Sequence, residues 1–344
     1  MTSDKESGPK ATQDLAREAT DYPEVHPGRA PEGQRQVQTL VFLHGGNVGN
    51  WSWDPQVLAF GDFNILTLHL PAFGARFEET WDGLESAADD VAALIADEVS
   101  EGGVHLVGIS LGGVIALHVA ARHPELVDSV LVTGTPLTGA SATARALNRM
   151  QLKLIGSEWY WRFQAGAYGM VDDERELFTE HGVKLKPENM RAIMDDLDPG
   201  ALPKNLENFQ GPVLALVGAK EPKLVQKSFV ALREKLPQAI TRVVPGMHHQ
   251  WNIENPILFN SVLRKWISDG GLHQILVDPE AVKPTRTLEV PAGRGKTAEG
   301  SEQGSTSKFP KKLDPRRLDP KKLDFKRKTT KQSETAQAPE ETEK

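Results

Sequence analysis

Ten residues, Val104 to Gly113 (VHLVGISLGG), constrain this chain more than any other stretch. Val104, Leu106, Val107 and Ile109 read as a buried strand, Ser110 occupies a turn, and the residues after it open a helix. Gly108, Ser110 and Gly112 give the spacing G-x-S-x-G. A serine lifted above the end of a sheet needs a tight, strained backbone, and side chains two residues to either side would strike neighbouring elements. Glycine at both positions removes the collision. Gly113 adds room for the helix to lie close on the sheet.

The flanking sequence repeats the strand–helix theme. From Val37 the run VQTLVFLHGG is apolar and β-rich, and it ends in His44-Gly45-Gly46. Trp51 and Trp53 follow in a loop, and FNILTLHLPAFG (63–74) is a second buried strand ending in a turn. A helix fits 84–99, with Leu84, Ala87, Val91, Ala92, Leu94 and Ile95 close to a helical period. The helix after Ser110 closes at Arg122-His123-Pro124, and SVLVTGTP (129–136) is another short strand. Strands follow at 211–221 and 239–246, helices at 223–236 and 256–268. Continuous apolar strands alternating with helices predict a mainly parallel sheet covered on both faces, hence an α/β fold. Residues 137–206 break the pattern. They are helical and polar, with aromatic residues at Trp159, Tyr160, Trp161, Phe163 and Tyr168, and read as a helical cap over the strand ends.

Composition bounds the rest. Residues 1–36 and 283–344 are rich in Pro, Gly, Ser, Thr, Lys and Glu and are expected to be disordered, leaving one domain over 37–282. The tail holds a five-residue repeat, KKLDP-RRLDP-KKLDF (311–325), in which Pro315 and Pro320 forbid a continuous helix. Residues 308–331 carry 11 Lys and Arg against 3 Asp, so a weak anionic partner for the tail is an expectation. A formal net charge of −7 argues against a globally nucleic-acid-binding protein. The chain has no cysteine, which excludes a disulfide framework, a thiolate nucleophile and a cysteine-based zinc site. No signal-like stretch opens it, and no apolar run approaches the roughly 18 residues of a membrane span, so a cytoplasmic location is expected.

A nucleophilic serine needs a base, an orienting carboxylate and an oxyanion hole. GMHHQW (246–251) supplies His248 and His249 in the loop after the last strand, and Glu221 in VGAKEP ends the strand before it. Backbone amides for the oxyanion come from Leu111, after the serine, and from the HGG turn at Gly46. The order Ser110, Glu221, His249 places each residue after a separate strand.

On LHGG, GISLGG, the GAKE turn and PGMHHQWN, residues 37–270 resemble the α/β-hydrolase superfamily, in particular its small cap-bearing serine esterase-like members. The resemblance implies His249 as base, two residues before the tryptophan. It also implies a serine hydrolase acting through an acyl-enzyme on a small, largely apolar ester or related acyl compound, with no cofactor or metal. Thioesters, lactones and C–C bonds are served by the same triad. Two departures from the family pattern stand out. The carboxylate is Glu where Asp is commoner, and the two N-terminal antiparallel strands are not evident before Val37, so about six strands are expected. Trp51 and Trp251 are expected to bind substrate and the cap aromatics to line an apolar pocket, the alternative for each being a place in the core. The alternative reading is a non-catalytic receptor or scaffold, with the basic tail as its docking segment.

Overall fold

The structure is a computed structural model that describes residues 23–29 and 37–280. The basic repeat at 311–325 and most of the N-terminal segment lie outside the described residues.

Seven strands form one sheet: β1 (Glu24–His26), β2 (Thr39–Leu43), β3 (Asn64–Leu68), β4 (Val104–Ile109), β5 (Val127–Thr133), β6 (Val213–Gly218) and β7 (Ile240–Val244). Their spatial order is β1-β3-β2-β4-β5-β6-β7, and every pairing is parallel except that of β1 with β3. The sheet therefore has one strand more than the sequence suggested. β1 sets Glu24, Val25 and His26 against Thr67, Leu66 and Ile65. It is an edge strand of three residues with a single apolar side chain, too short to show any periodicity. The boundary expected at residue 37 thus falls after the first strand.

The central strands are buried on both faces, and their side chains divide between two cores. Val41 and Leu43 of β2, Val104 and Leu106 of β4, and Val130 and Val132 of β5 face one core. Leu40 and Phe42, Val107 and Ile109, and Leu131 face the other. Helices α1 (Leu84–Glu98) and α2 (Leu111–Arg122) pack on the first side, and α2 is buried from Leu111 to Ala121. That explains its lack of an amphipathic pattern: it lies between the sheet and α1. On the second side lie Trp53, Phe60, Trp251 and Phe259.

Between β5 and β6 the chain makes α3 (Ala142–Gln151), α4 (Glu158–Ala167), α5 (Asp172–Lys184) and α6 (Pro187–Leu197). The two ends of this insertion are zipped together, Ala201 N–H donating to the Leu137 carbonyl at 3.1 Å and Ala140 N–H to that of Asp198 at 3.0 Å. Trp161 is its centre. The indole is 1 % exposed, sits 5.7 Å from Phe178, and donates to the Ile155 carbonyl at 2.6 Å. Trp81 ties the insertion to the loop after β3, donating from its ring to Asp196 at 2.8 Å. Two further helices, α7 (Lys223–Lys235) and α8 (Pro256–Asp269), complete the layers.

The strand order fixes where a site can form. From β2 the chain moves outward to β3, then crosses back to β4 on the other side of β2. Connections leaving the C-terminal ends of β2 and β4 diverge, and a crevice opens between them. Ser110 follows β4 and the His44-Gly45-Gly46 turn follows β2, so both arrive at that crevice.

Candidate active site

Ser110 sits at φ 55° and ψ −117°, a conformation that L-residues adopt only where surrounding structure enforces it. The enforcement is visible. Its N–H donates to the Thr133 carbonyl at 2.9 Å, holding the turn to the end of β5. A Cβ on Gly108 would stand 2.5 Å from the Gly112 carbonyl oxygen, and one on Gly112 would strike the Leu43 carbonyl. Both glycines of the motif are therefore required by backbone contact, as the spacing predicts. Leu111 opens α2, so its N–H points out of the helix N-terminus without an intrahelical acceptor.

Across the crevice, His44 is fully buried and hydrogen-bonds on both ring nitrogens. Its Nδ1 donates to the Gly45 carbonyl at 2.7 Å, and its Nε2 accepts from Leu70 N–H at 3.1 Å. Burial pulls this imidazole down to about 3, against the bond to Gly45 and with help from His69 and His181. A buried ring kept neutral near pH 7, with both nitrogens engaged, supports the glycine turn and has no free lone pair to act as a base.

Glu221 and His249 meet beyond the C-terminal ends of β6 and β7, on the same edge of the sheet as Ser110. His249 Nδ1 lies 2.6 Å from Glu221 Oε2, and the glutamate side chain is 1 % exposed. Its second oxygen accepts the Gly218 N–H at 2.8 Å. The extra methylene of glutamate is accommodated by a turn: Glu221 N–H donates to the Gly218 carbonyl at 3.0 Å, folding the residue back toward the strand it left. Backbone bonds from Ala219 to Val244 and from Lys220 to Met247 lace this turn to the histidine loop, at 2.9 and 3.0 Å. A carboxylate can only accept, so Nδ1 carries the proton and Nε2 is left with its lone pair.

Ser110, Leu111, Gly46 and His249 line one cavity of about 220 Å³. Its other walls come from Phe73 and from the insertion, through Ile155, Tyr160, Trp161, Tyr168 and Met190 among others. A larger groove of about 480 Å³, bounded by Glu85, His118, Arg122 and Lys204, contains none of these residues.

Residues 40–262 match the model of the alpha/beta hydrolase family. The chain belongs to that family. Among curated proteins it is similar to an AB hydrolase superfamily protein of Gibberella zeae, 24% identical over 243 residues, covering 67% of this chain and 80% of that one. It is similar to an esterase of Mycobacterium tuberculosis, 24% identical over 256 residues, covering 60% of this chain and 82% of the other. Among solved structures, the enol-lactonase of Burkholderia xenovorans LB400 superposes with a TM-score of 0.59 at 17% identity, over 72% of this chain and 97% of that one. At that identity the last likeness speaks for the fold.

Two expectations about this alpha/beta hydrolase need correction. Trp251 does not line the cavity. It is fully buried in the core on the other face of the sheet, 4.6 Å from Phe259, and its ring N–H donates to Thr133 Oγ1 at 2.8 Å. It braces the strand end that holds Ser110, because Thr133 is also the acceptor for the Ser110 amide. Trp51 packs on His181, 5.8 Å between rings, and is not a cavity wall either. The aromatic cluster divides: Tyr160, Trp161 and Tyr168 line the cavity, whereas Trp159 and Phe163, 61% and 71% exposed, lie on the outer face of α4.

Three features escaped the sequence reading. Gly134, just past β5 at φ 62°, leaves the space in which His249 and Glu221 meet, since a Cβ there would lie 2.7 Å from the imidazole. Tyr168 packs against the His249 ring, 5.1 Å between centroids and tilted by 39°, and burial, with smaller effects of Tyr160 and Glu221, pushes its phenol up to about 12. His248 has its own carboxylate: Nδ1 lies 2.8 Å from Glu254 Oε1, and the His248 N–H donates to Oε2 at 2.8 Å. His248 is therefore engaged in closing its own loop. Gly134 and Tyr168 carry no sequence signature, because each meets His249 from a segment distant in the chain. His248 and Glu254 are only six residues apart, but their pairing depends on how the loop between them folds.

Proposed function

We propose that the chain is a serine hydrolase that cleaves a small, uncharged ester or related acyl compound through Ser110, His249 and Glu221. The observation that carries this reading is the buried Glu221–His249 contact of 2.6 Å, made by a histidine that shares its cavity with a serine on a strained turn. Glu221 fixes the tautomer in which Nε2 is the base and stabilises the imidazolium once it forms. Ser110 Oγ attacks the carbonyl as His249 takes its proton, and the oxyanion is met by the N–H groups of Gly46 and Leu111. Collapse expels the leaving group, which receives the proton from His249, and water then releases the acyl group by the same steps in reverse roles.

The cavity supports the substrate class. It includes the apolar Phe73, Ile155, Met190, Ile193, Met194 and Leu197, and among the described residues no Lys, Arg, Asp or Glu lines it. A carboxylate or phosphate on the substrate would be desolvated there without a counter-charge, which is costly. The esterase from Mycobacterium tuberculosis, similar over most of its length, supports ester chemistry. Thioesters and lactones present the same electrophilic carbonyl and belong to the same reading.

A panel of 4-nitrophenyl esters of increasing chain length, with charged counterparts of each, tests it. Turnover of short neutral esters, and little of those bearing a carboxylate, is expected. A preference for anionic or long polar substrates would refute the assignment.

A further inference from the structure

The candidate cavity contains five side-chain carboxamides: Asn47, Asn148, Gln151, Gln164 and Gln250. Two are engaged in a chain on the insertion, Gln164 Nε2 donating to the Tyr160 hydroxyl at 2.9 Å and that hydroxyl donating to Gln151 Oε1 at 3.2 Å. Gln250 differs from these. It is 2% exposed, it directly follows His249, and its Oε1 is buried without a hydrogen-bond partner. No hydrogen bond of its amide nitrogen is found among the described residues, and that nitrogen, unlike Oε1, is not fully buried, so it opens on the cavity.

The position of that nitrogen is informative. A Cβ placed on Gly45 would stand 3.3 Å from Gln250 Nε2 and 3.5 Å from Ser110 Cβ. The amide and the nucleophile therefore flank one point, directly beside the peptide that carries the Gly46 N–H. Leucine or methionine would fill the same space without burying a polar group, so a glutamine here is unfavourable for folding unless something uses it. The donor thus borders the space beside Ser110 and the Gly45–Gly46 peptide, in a cavity that no Lys, Arg, Asp or Glu lines among the described residues.

We propose that Gln250 is a third donor to the reacting carbonyl, its Nε2–H joining the Gly46 and Leu111 amides on the developing oxyanion. This rests on the serine hydrolase reading above and extends it to a residue that touches the reacting atoms. A donor that is already in place and shielded from water strengthens as the carbonyl oxygen gains charge, so its effect falls on kcat more than on KM.

The full chain carrying Gln250→Met tests this with a short neutral ester. Loss of one oxyanion donor predicts a fall in kcat of about 10²–10³-fold with KM little changed. An alkyl boronic acid, which forms a tetrahedral adduct on serine, should lose affinity in the variant by a comparable factor. A fluorophosphonate probe should still label Ser110, more slowly. Gln250→Asn, which keeps the donor but withdraws it, should fall between the two and provides the test if the methionine variant does not fold. Wild-type kcat in either variant, or a rise in KM at constant kcat, would overturn the proposal. If the unmodified chain itself neither hydrolyses esters nor is labelled at Ser110, the underlying reading fails instead, which separates the two failures.

Discussion

Glu221 Oε2 lies 2.6 Å from His249 Nδ1, and the carboxylate that makes this contact is almost entirely shielded from water. Its other oxygen is held by the Gly218 amide, so the side chain has one orientation and the imidazole has one acceptor on that side. Changing Glu221 to Gln replaces an acceptor-only group by one that can donate, and the histidine loses both tautomer control and counter-charge. A fall in kcat on the order of 10⁴-fold is expected, with an unchanged far-ultraviolet dichroism spectrum. Glu221→Asp, one methylene shorter from the same turn, should retain part of the activity. A fully active amide variant would move the role to another residue.

Gly134 gives a second prediction. Its φ of 62° disfavours any side chain, and a Cβ would press on the His249 ring at 2.7 Å. Gly134→Ala should cost about 1–2 kcal/mol of stability from backbone conformation alone. It should also lower kcat by more than tenfold by displacing the imidazole. Thermal denaturation and steady-state kinetics on one preparation measure both. An alanine variant with normal kcat would show that the histidine position tolerates movement.

Trp251 separates bracing from binding. Trp251→Phe keeps most of the packing on Phe259 but removes the hydrogen bond to Thr133, a loss of about 1 kcal/mol. KM for short esters should not change, because the ring does not reach the cavity. A selective rise in KM would restore the role that its position in the sequence suggested.

Acid sensitivity follows from His44. Its folded value of about 3 lies below the ordinary 6.5, so between these limits the unfolded chain binds a proton that the folded chain refuses. Stability is therefore lost as pH falls through that window, by up to about 1.4 kcal/mol per pH unit for this one group. Burial lowers His105 and His118 in the same direction. His44→Asn should flatten the dependence of unfolding free energy on pH between 4 and 6.5, measured by denaturant titration. Identical slopes in variant and parent would contradict the burial argument.

The parts of this molecule that were legible in the sequence are those determined by local pattern. The strands around Leu40, Leu106, Val130 and Leu214 are continuous apolar runs, and the turn at Ser110 carries its glycines at fixed offsets. The chain order of Ser110, Glu221 and His249 was enough to bring Glu221 and His249 together once each followed its own strand. β1 was missed because three residues with one apolar side chain show no period, and its pairing partner is about forty residues away. Trp251 was misplaced for a related reason. A tryptophan two residues after His249 is close to the cavity in sequence, but the chain turns into a short helix there and sends the ring to the opposite core. The division of α4, with Tyr160 and Trp161 inward and Trp159 and Phe163 outward, depends on what covers each face and not on the aromatic composition they share. Gly134 and Gln250 owe their significance to contacts across the fold, which no spacing encodes.

The central claim is that Ser110 is the nucleophile, activated by His249. Intact-protein mass spectrometry after brief exposure to a fluorophosphonate, followed by peptide mapping, tests it most directly. A single adduct located on Ser110, absent in Ser110→Ala and strongly slowed in His249→Ala, is the predicted result. Labelling that persists in Ser110→Ala, or an unmodified Ser110 in the active protein, would contradict the account.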